Sequence, residues 1–375
     1  MRPENREEVA TLLAAASAAG LVVVPHGART ALALGRPLEQ YDVAIDLSAL
    51  NRVVEYEPDD LTITVEAGFT LAALQQQLGE HGQYLSADPP PDDRVTIGGL
   101  LATARPGAWR GHAPSARDLV LGITVAQADG QLVRSGGRVV KNVSGYDLHR
   151  MHTGALGAFG VIVEASFKLA PLPAAVHTVI LPCEHLEAAE RLTFELWDLS
   201  LPTRTLTLLS ASAASTLALA VTPHVVLELA GVASAVERAT EIVSDLGESV
   251  EANDNPLRQL RSLAGGDGTV LRLTVPASSL RAAIEAAERA GCSAWGQIAS
   301  GSVLARANRL APETVRELRA RAVELGGSLQ VESAPMALRS AVDPFDIGER
   351  ELVVALNQQF DPQRTLNRGR WSEQV

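Results

Sequence analysis

The stretch GGRVVKNVSGYDLHRMHTGALGAFGVIVEASFKL, residues 136–169, constrains this chain more than any other. It holds a Gly-Gly turn, a short basic strand ending Lys141-Asn142, and a Gly145-Tyr146-Asp147 turn. Spaced glycines follow, at Gly154, Gly157 and Gly160, and they feed the strand-forming segment Val161 to Leu169. Glycine at this density, between two segments of strand character, marks backbone that must come close to something.

The 375 residues allow two or three domains, each with its own core. A formal net charge of -12 argues against a general nucleic-acid or anionic-membrane surface. Cys183 and Cys292 lie far apart and match no CxxC pattern, which excludes a disulfide framework or an iron–sulfur cluster within the chain. The polar start, MRPENREEVATLLAAASAAG, reads as an amphipathic helix rather than a signal peptide. Ser, Thr, Pro223 and His224 interrupt the most apolar run, Leu206 to Leu229, so no spanning helix is expected. These features predict a cytoplasmic protein.

The first region reads as a helix over 7–19, strands over 21–24 and 44–47, and two β pieces within 53–67. A helix over 71–78 follows, then a proline-rich loop at 88–91 and an irregular loop over 105–114. A hairpin comes next, with strands over 119–128 and 131–135. The second region, from about 177 to 334, alternates strands with longer helices. That rhythm predicts one antiparallel sheet backed by helices, an α+β domain. A last helix spans 347–360, before a polar tail.

No GxGxxG and no GxxxxGK[ST] occurs. The loop Pro25-His26-Gly27-Ala28-Arg29-Thr30 follows a strand, so its backbone N–H groups can cradle an anion. Arg29 and Thr30 would add side-chain donors. The alternative is an ordinary strand-ending turn. Gly98-Gly99 after Thr96 offers close backbone approach to a ring or pyrophosphate; the alternative is a plain N-cap by Thr96. There is no HxH, HExxH or GxSxG. His149 and His152 read as packing groups, and Asp59-Asp60 and Asp92-Asp93 as solvated loop charges.

Taken in order, PHGART, VEAGFTLAAL, DPPPDDRVTIGGLLAT, RGHAPSARDLVLG, ADGQLVRSGGRVVKNVSGYDL and GALGAFGVIVEASFKL resemble the FAD-binding domain of the vanillyl-alcohol oxidase/p-cresol methylhydroxylase (PCMH) flavoproteins. KNVSGYDLHRM and FDPQRTLNRGRW are most similar to FAD-binding subunits of glycolate oxidase complexes. The resemblance implies an α+β fold with FAD as cofactor. A two-subdomain PCMH-type FAD-binding domain (1–173) would be followed by a ferredoxin-like α+β cap domain over the isoalloxazine ring (174–346). A C-terminal helix and tail (347–375) would return to the first domain.

Mapped onto this sequence, Pro25, His26, Gly27, Ala28, Arg29 and Thr30 would hold the pyrophosphate. Asp88, Pro89, Pro90, Thr96, Gly98 and Gly99 would flank pyrophosphate and ring. Thr103, Ala104 and Gly107 would continue along the flavin. Asn142 and Tyr146 lie in the family's KN-x-x-GYD turn, and Gly160, Val161 and Ile162 would bring backbone amides to the nucleotide. Arg110 and Lys141 are candidates to tune the flavin potential, a surface salt bridge being the alternative. Arg117 and Asp118 match the family's Arg-Asp pair and read as a structural ion pair.

Two departures stand out: Ala28-Arg29 replaces a run of glycines, and the tail reads Leu366-Asn367-Arg368-Gly369-Arg370 where relatives have Asn-Pro-Gly. The cap has His177, His185 and His224 but no His-rich metal motif, and neither a catalytic base nor a metal ligand is assignable. Arg272, Arg306 and Arg309 are its available cations. The resemblance implies a hetero-oligomer with a catalytic FAD subunit and an iron–sulfur subunit, acting on a small 2-hydroxy acid. No nucleic acid, and at most a peripheral membrane association, is expected. A stand-alone 2-hydroxy-acid dehydrogenase and a scaffold with a decayed FAD site are the alternatives.

Overall fold

The computed structural model describes every residue except 39, 91–93, 138–145, 251–254, 266, 346–349 and 373–374, and the side chain of residue 350. The chain forms two units. The first comprises Met1–Arg105, Pro114–Leu172 and Ile347–Val375; the second comprises Pro106–Ala113 and Pro173–Asp346.

In the first unit, α1 (Arg6–Ala18) begins at Asn5, whose side chain accepts from Glu8 N at 2.9 Å. Its buried stripe of Val9, Ala10, Leu13 and Ala16 packs with Val23, Ile45, Leu47 and Leu50. Strands β1 (Val23–His26) and β2 (Val43–Asp46) pair in parallel. The strand thus runs through Pro25 and His26, which the sequence reading placed in the loop. The reason lies in strand alternation. Val23 directs both main-chain groups to the C-terminal tail, its N–H to Thr365 O (2.7 Å) and its C=O to Asn367 N (3.0 Å). Pro25 faces that same side, so its missing N–H removes no bond to β2.

The remaining strands are β3 (Val53–Glu57), β4 (Thr62–Glu66), β5 (Gln83–Tyr84), β6 (Val120–Ala126), β7 (Leu132–Gly136), β8 (Val161–Lys168) and β9 (Ala170–Pro171). Five of them make an antiparallel sheet, β3-β4-β8-β6-β7, and β5 pairs with β9. Central β8 is buried except at Lys168. Its inward polar groups are matched: Ser166 meets Thr64 across the pair at 2.8 Å, and Glu164 accepts from Arg6 at 3.1 Å and Thr124 at 3.2 Å. Helices α2 (Leu71–Gly79) and α3 (Ile97–Thr103) supply Leu74, Leu78, Ile97 and Leu101 to the core around Ile63, Val65 and Phe167.

Two short helices, α4 (Ala116–Leu119) and α5 (Leu148–His152), also belong to this unit, as does the C-terminal helix Arg350–Phe360. The expected Arg117–Asp118 ion pair is absent. Asp118 instead closes a capping box on Ser115, accepting from its N (3.1 Å) and its Oγ (2.6 Å). Three residues is the reach that returns a carboxylate to the N-cap; the adjacent Arg117 adds only its charge.

The second unit holds seven antiparallel strands: β10 (Ala175–Pro182), β11 (Thr203–Leu209), β12 (His224–Gly231), β13 (Thr269–Thr274), β14 (Ser293–Gln297), β15 (Ser302–Ala307) and β16 (Ser328–Ser333). Their order is β10-β12-β11-β14-β15-β13-β16. The last four follow the ferredoxin-like β-α-β-β-α-β path. Helices α6 (Leu186–Asp198), α7 (Ala211–Thr216), α8 (Ala233–Ser244), α9 (Pro256–Gly265), α10 (Leu280–Arg289), α11 (Pro312–Glu324) and α12 (Met336–Ala341) complete it. The apolar face of the sheet packs against α6, α8, α10 and α11. The other face carries Thr205, Thr207, Glu228, Arg272, Gln297 and Glu332, all buried.

Candidate functional site

Two overlapping hollows open on the first unit and share Pro25, His26, Gly27, Thr96, Gly99 and Asn367. Their floor is the end of β1, the start of α3 and the start of β8. Thr96 shapes the junction. Its Oγ1 accepts from Gly99 N at 3.3 Å and caps α3, and Gly98 and Gly99 still line the hollows. A Cβ on Gly27 would come within 2.3 Å of the same oxygen, so only glycine lets the loop pass this close.

The loop beyond β1 has an uncommon turn: Arg29 adopts φ 64, in the left-handed region. His26 Nδ1 lies 2.9 Å from the Gly27 carbonyl oxygen, and Arg29 Nη2 lies 3.4 Å from His26 Nε2. The far wall is the glycine-spaced loop. Gly154 N donates to Leu101 O and Leu156 N to Ala102 O, both at 2.8 Å, so this loop is laid over the last turn of α3. Gly157 and Gly160 have φ 73 and 145; a Cβ on Gly160 would meet Val125 Cγ1 at 2.4 Å.

The chemistry of the lining is one-sided. The protein is strongly acidic, yet among the described residues no Asp or Glu lines either hollow. Among them His26, Arg29 and Arg370 are the ionisable side chains present. A left-handed turn, glycine-bared backbone and two guanidinium groups fit a diphosphate-bearing ligand.

Of the residues singled out in the sequence, Pro25 to Thr30, Thr96, Gly99 and Thr103 line the second hollow. Gly98, Gly160, Val161 and Ile162 line the first. Asp88, Pro89, Pro90 and Ala104 line neither, although Ala104 ends α3 at φ 45. Tyr146 also lines neither and is 91% exposed. Asn142 and Lys141 lie outside the described residues. Gly107 and Arg110 belong to the second unit.

His149 and His152 are buried packing groups, as expected. His152 stacks edge-on against Phe360, and burial pushes it down to about 4. Gly157, singled out as one of the spaced glycines but not assigned to the cofactor, lines the first hollow. Sequence reading missed Asn367 and Arg370 as lining residues; they sat within the tail motif without a site role. Ala67, Ala102 and Leu156 also line the hollows, with side chains that carry no chemistry to notice.

Within the second unit, Pro106–Ala113 lies on the polar face of the sheet. Trp109 Nε1 donates to Glu228 at 3.3 Å, and Arg204 donates to the same carboxylate at 2.7 Å. The Arg204 and Arg261 guanidinium groups lie 4.5 and 4.9 Å from the Trp109 ring centre. Arg272 binds Glu332 (2.6 Å), Ser302 Oγ (2.7 Å) and Pro106 O (3.0 Å). Desolvation, then the nearby Arg272 charge, pushes Arg110 below its ordinary range. Burial lowers His112 likewise.

Residues 1–136 match the family model described as FAD binding domain. The cofactor is FAD, and the fold is the two-subdomain PCMH-type fold with an α+β second unit. Among curated relatives, glycolate oxidase subunit GlcE of Escherichia coli (strain K12) is 36% identical over 154 residues, covering 41% of this chain and 43% of that protein. Subunit GlcD of Bacillus subtilis (strain 168) is 31% identical over 188 residues, covering 50% of this chain and 40% of that protein. The mitochondrial D-lactate dehydrogenase [cytochrome] of Arabidopsis thaliana is 31% identical over 181 residues, covering 48% and 31%. The matches thus span less than half the length of these relatives. A solved alkyldihydroxyacetonephosphate synthase shares the fold at TM-score 0.71 and 18% identity, covering 98% of this chain and 75% of its own. Among the described residues, no helix is long and apolar enough to cross a membrane.

Proposed function

We propose that this chain is the FAD-binding subunit of a glycolate- or 2-hydroxy-acid-oxidising complex, carrying electrons from that oxidation toward an acceptor. The similarity to two glycolate oxidase subunits, on a chain whose cleft is lined by Arg29, Arg370 and glycine-bared backbone, supports this reading most. Bound FAD supplies the two-electron chemistry. The chain's own residues hold it. The loop from Gly27 to Thr30, with Arg29, faces the diphosphate, and Gly99 and Gly160 to Ile162 bare backbone to the nucleotide.

Oxidising a hydroxy acid also needs a base for the hydroxyl proton. Among the described residues, neither hollow presents a carboxylate for that role. In this reading a catalytic FAD subunit provides the base and an iron–sulfur subunit takes the electrons. Residues 1–173 then form the FAD domain, 174–346 its cap and 347–375 the returning tail. The complex would work in the cytoplasm, or at a membrane surface held there by its partners. A stand-alone 2-hydroxy-acid dehydrogenase is the second reading, favoured by the D-lactate dehydrogenase relatives at 31 and 32% identity.

The test is a flavin spectrum of the purified chain, reconstituted with FAD and mixed anaerobically with glycolate or D-lactate. FAD should stay with the protein through gel filtration and remain oxidised until the partner subunits are added. Bleaching by either acid without partners would overturn the subunit reading in favour of the stand-alone enzyme. Failure to retain FAD would overturn both.

A further inference from the structure

We propose that the C-terminal tail is the clasp of the cofactor site, with Asn367 and Arg370 as positioning residues that set how long FAD stays bound. The proposal rests on FAD as the occupant, and it concerns residues well beyond the matched FAD binding domain at 1–136.

The hollows have two lips. One is the loop beyond β1, running to Leu34; the other is the glycine-spaced loop over α3, from Gly154 to Gly160. Each lip is tied to the tail by side chains. Arg370 Nη1 donates to Leu32 O at 2.8 Å and Leu34 O at 3.1 Å, while Arg370 O accepts from Arg36 N at 2.9 Å. On the opposite lip, Asn367 Nδ2 donates to Leu156 O and Trp371 Nε1 to Ala155 O, both at 2.8 Å.

The tail is itself fixed. Asp361, fully buried, accepts from Thr365 N at 2.9 Å and Leu366 N at 2.7 Å. Thr365 and Asn367 bracket Val23 by main-chain bonds. Asn367 sits at φ 46, a conformation asparagine tolerates better than most residues, and it lines both hollows. The tail therefore crosses the seam between the lips at the point the two hollows share. A dinucleotide lying along both hollows leaves only after that bridge yields. Arg370 and Asn367 touch opposite lips, so loss of either one loosens the clasp.

The experiment uses the full chain with Arg370→Ala, Arg370→Lys and Asn367→Ala. FAD dissociation is followed by recovery of flavin fluorescence after dilution, alongside FAD association rates and melting of the apoprotein. Arg370→Ala and Asn367→Ala should each speed dissociation by about tenfold, the scale of one or two lost hydrogen bonds. Arg370→Lys should fall between parent and Arg370→Ala, and apoprotein melting should drop by only a few degrees. Parent-like dissociation in both alanine variants would overturn the proposal, as would a lowered apoprotein melting point with unchanged dissociation. If Arg370→Ala does not fold, Arg370→Lys and Asn367→Ala give the same reading. A parent chain that takes up no FAD refutes the FAD occupancy itself, an outcome distinct from variants that hold it as well as the parent does.

Discussion

A methyl group added at Gly98 would lie 3.0 Å from Ala67 Cβ and 3.2 Å from Ala67 O, whereas at Gly99 it would meet only Thr96 Oγ1, at 3.1 Å. The two neighbours are therefore glycine for different reasons. Gly98 is required by protein packing, because its N–H also donates to Ala67 O at 2.7 Å. Gly99 is left small on the side that lines both hollows. Gly98→Ala should lower apoprotein stability by about 1–3 kcal/mol, measured by urea unfolding. Gly99→Val should leave that unfolding curve nearly in place and abolish FAD retention on gel filtration. Parent-like flavin content in Gly99→Val would remove this residue from the cofactor wall. The sequence showed a Gly pair but not this division of labour, which depends on Ala67, thirty-odd residues upstream and silent by composition.

Strands and helices were legible where their two faces differed in a way composition reveals. Helix α1 declared itself by its amphipathic pattern, and β8 as the strand-forming segment behind the spaced glycines. Three strands of the second unit did not. In β11, Thr205 and Thr207 alternate with leucines; β14 carries Ser293 and Gln297; β15 carries Ser302 and Arg306. Their polar residues face a buried surface rather than water, so polar alternation no longer reported exposure. What completes that surface is the stretch Pro106–Ala113, brought in from far upstream, which no local pattern announces. The element-level prediction concerns its deepest ion pair. Arg272 and Glu332 have side chains only 4% and 3% exposed. Glu332→Gln should destabilise the protein by about 3–5 kcal/mol in denaturant unfolding, because it strands a buried guanidinium. Replacing both partners by apolar residues of similar volume should cost far less. Equal losses in the two variants would count against that explanation.

For the molecule as a whole, acid should be destabilising before the carboxylates titrate. His152 is pushed down from 6.5 to about 4 by burial, and burial lowers His149, His224 and His112 in the same direction. Between those two values the unfolded chain binds a proton that folded His152 refuses, so stability rises with pH. The contribution is complete above the unfolded value and is lost as pH falls toward about 4. It amounts to about 3 kcal/mol for His152 alone. Apoprotein melting should therefore fall steadily from neutral pH to pH about 4.5. His152→Phe should flatten that slope; an unchanged slope would assign the acid limb to other groups.

The tail that spans the cofactor cleft also fixes an order of events in time. A ribosome delivers residues 1–162, which carry the floor and both lips of the cleft, long before it delivers Asn367, Arg370 and Trp371. During that interval the nascent chain has the floor and both lips of the cleft with nothing joining them. Lasting flavin retention then waits until the tail has emerged. Stalled ribosomal complexes offer the check. Chains arrested before the tail clears the exit tunnel should release FAD rapidly, and chains held on a longer C-terminal tether should keep it.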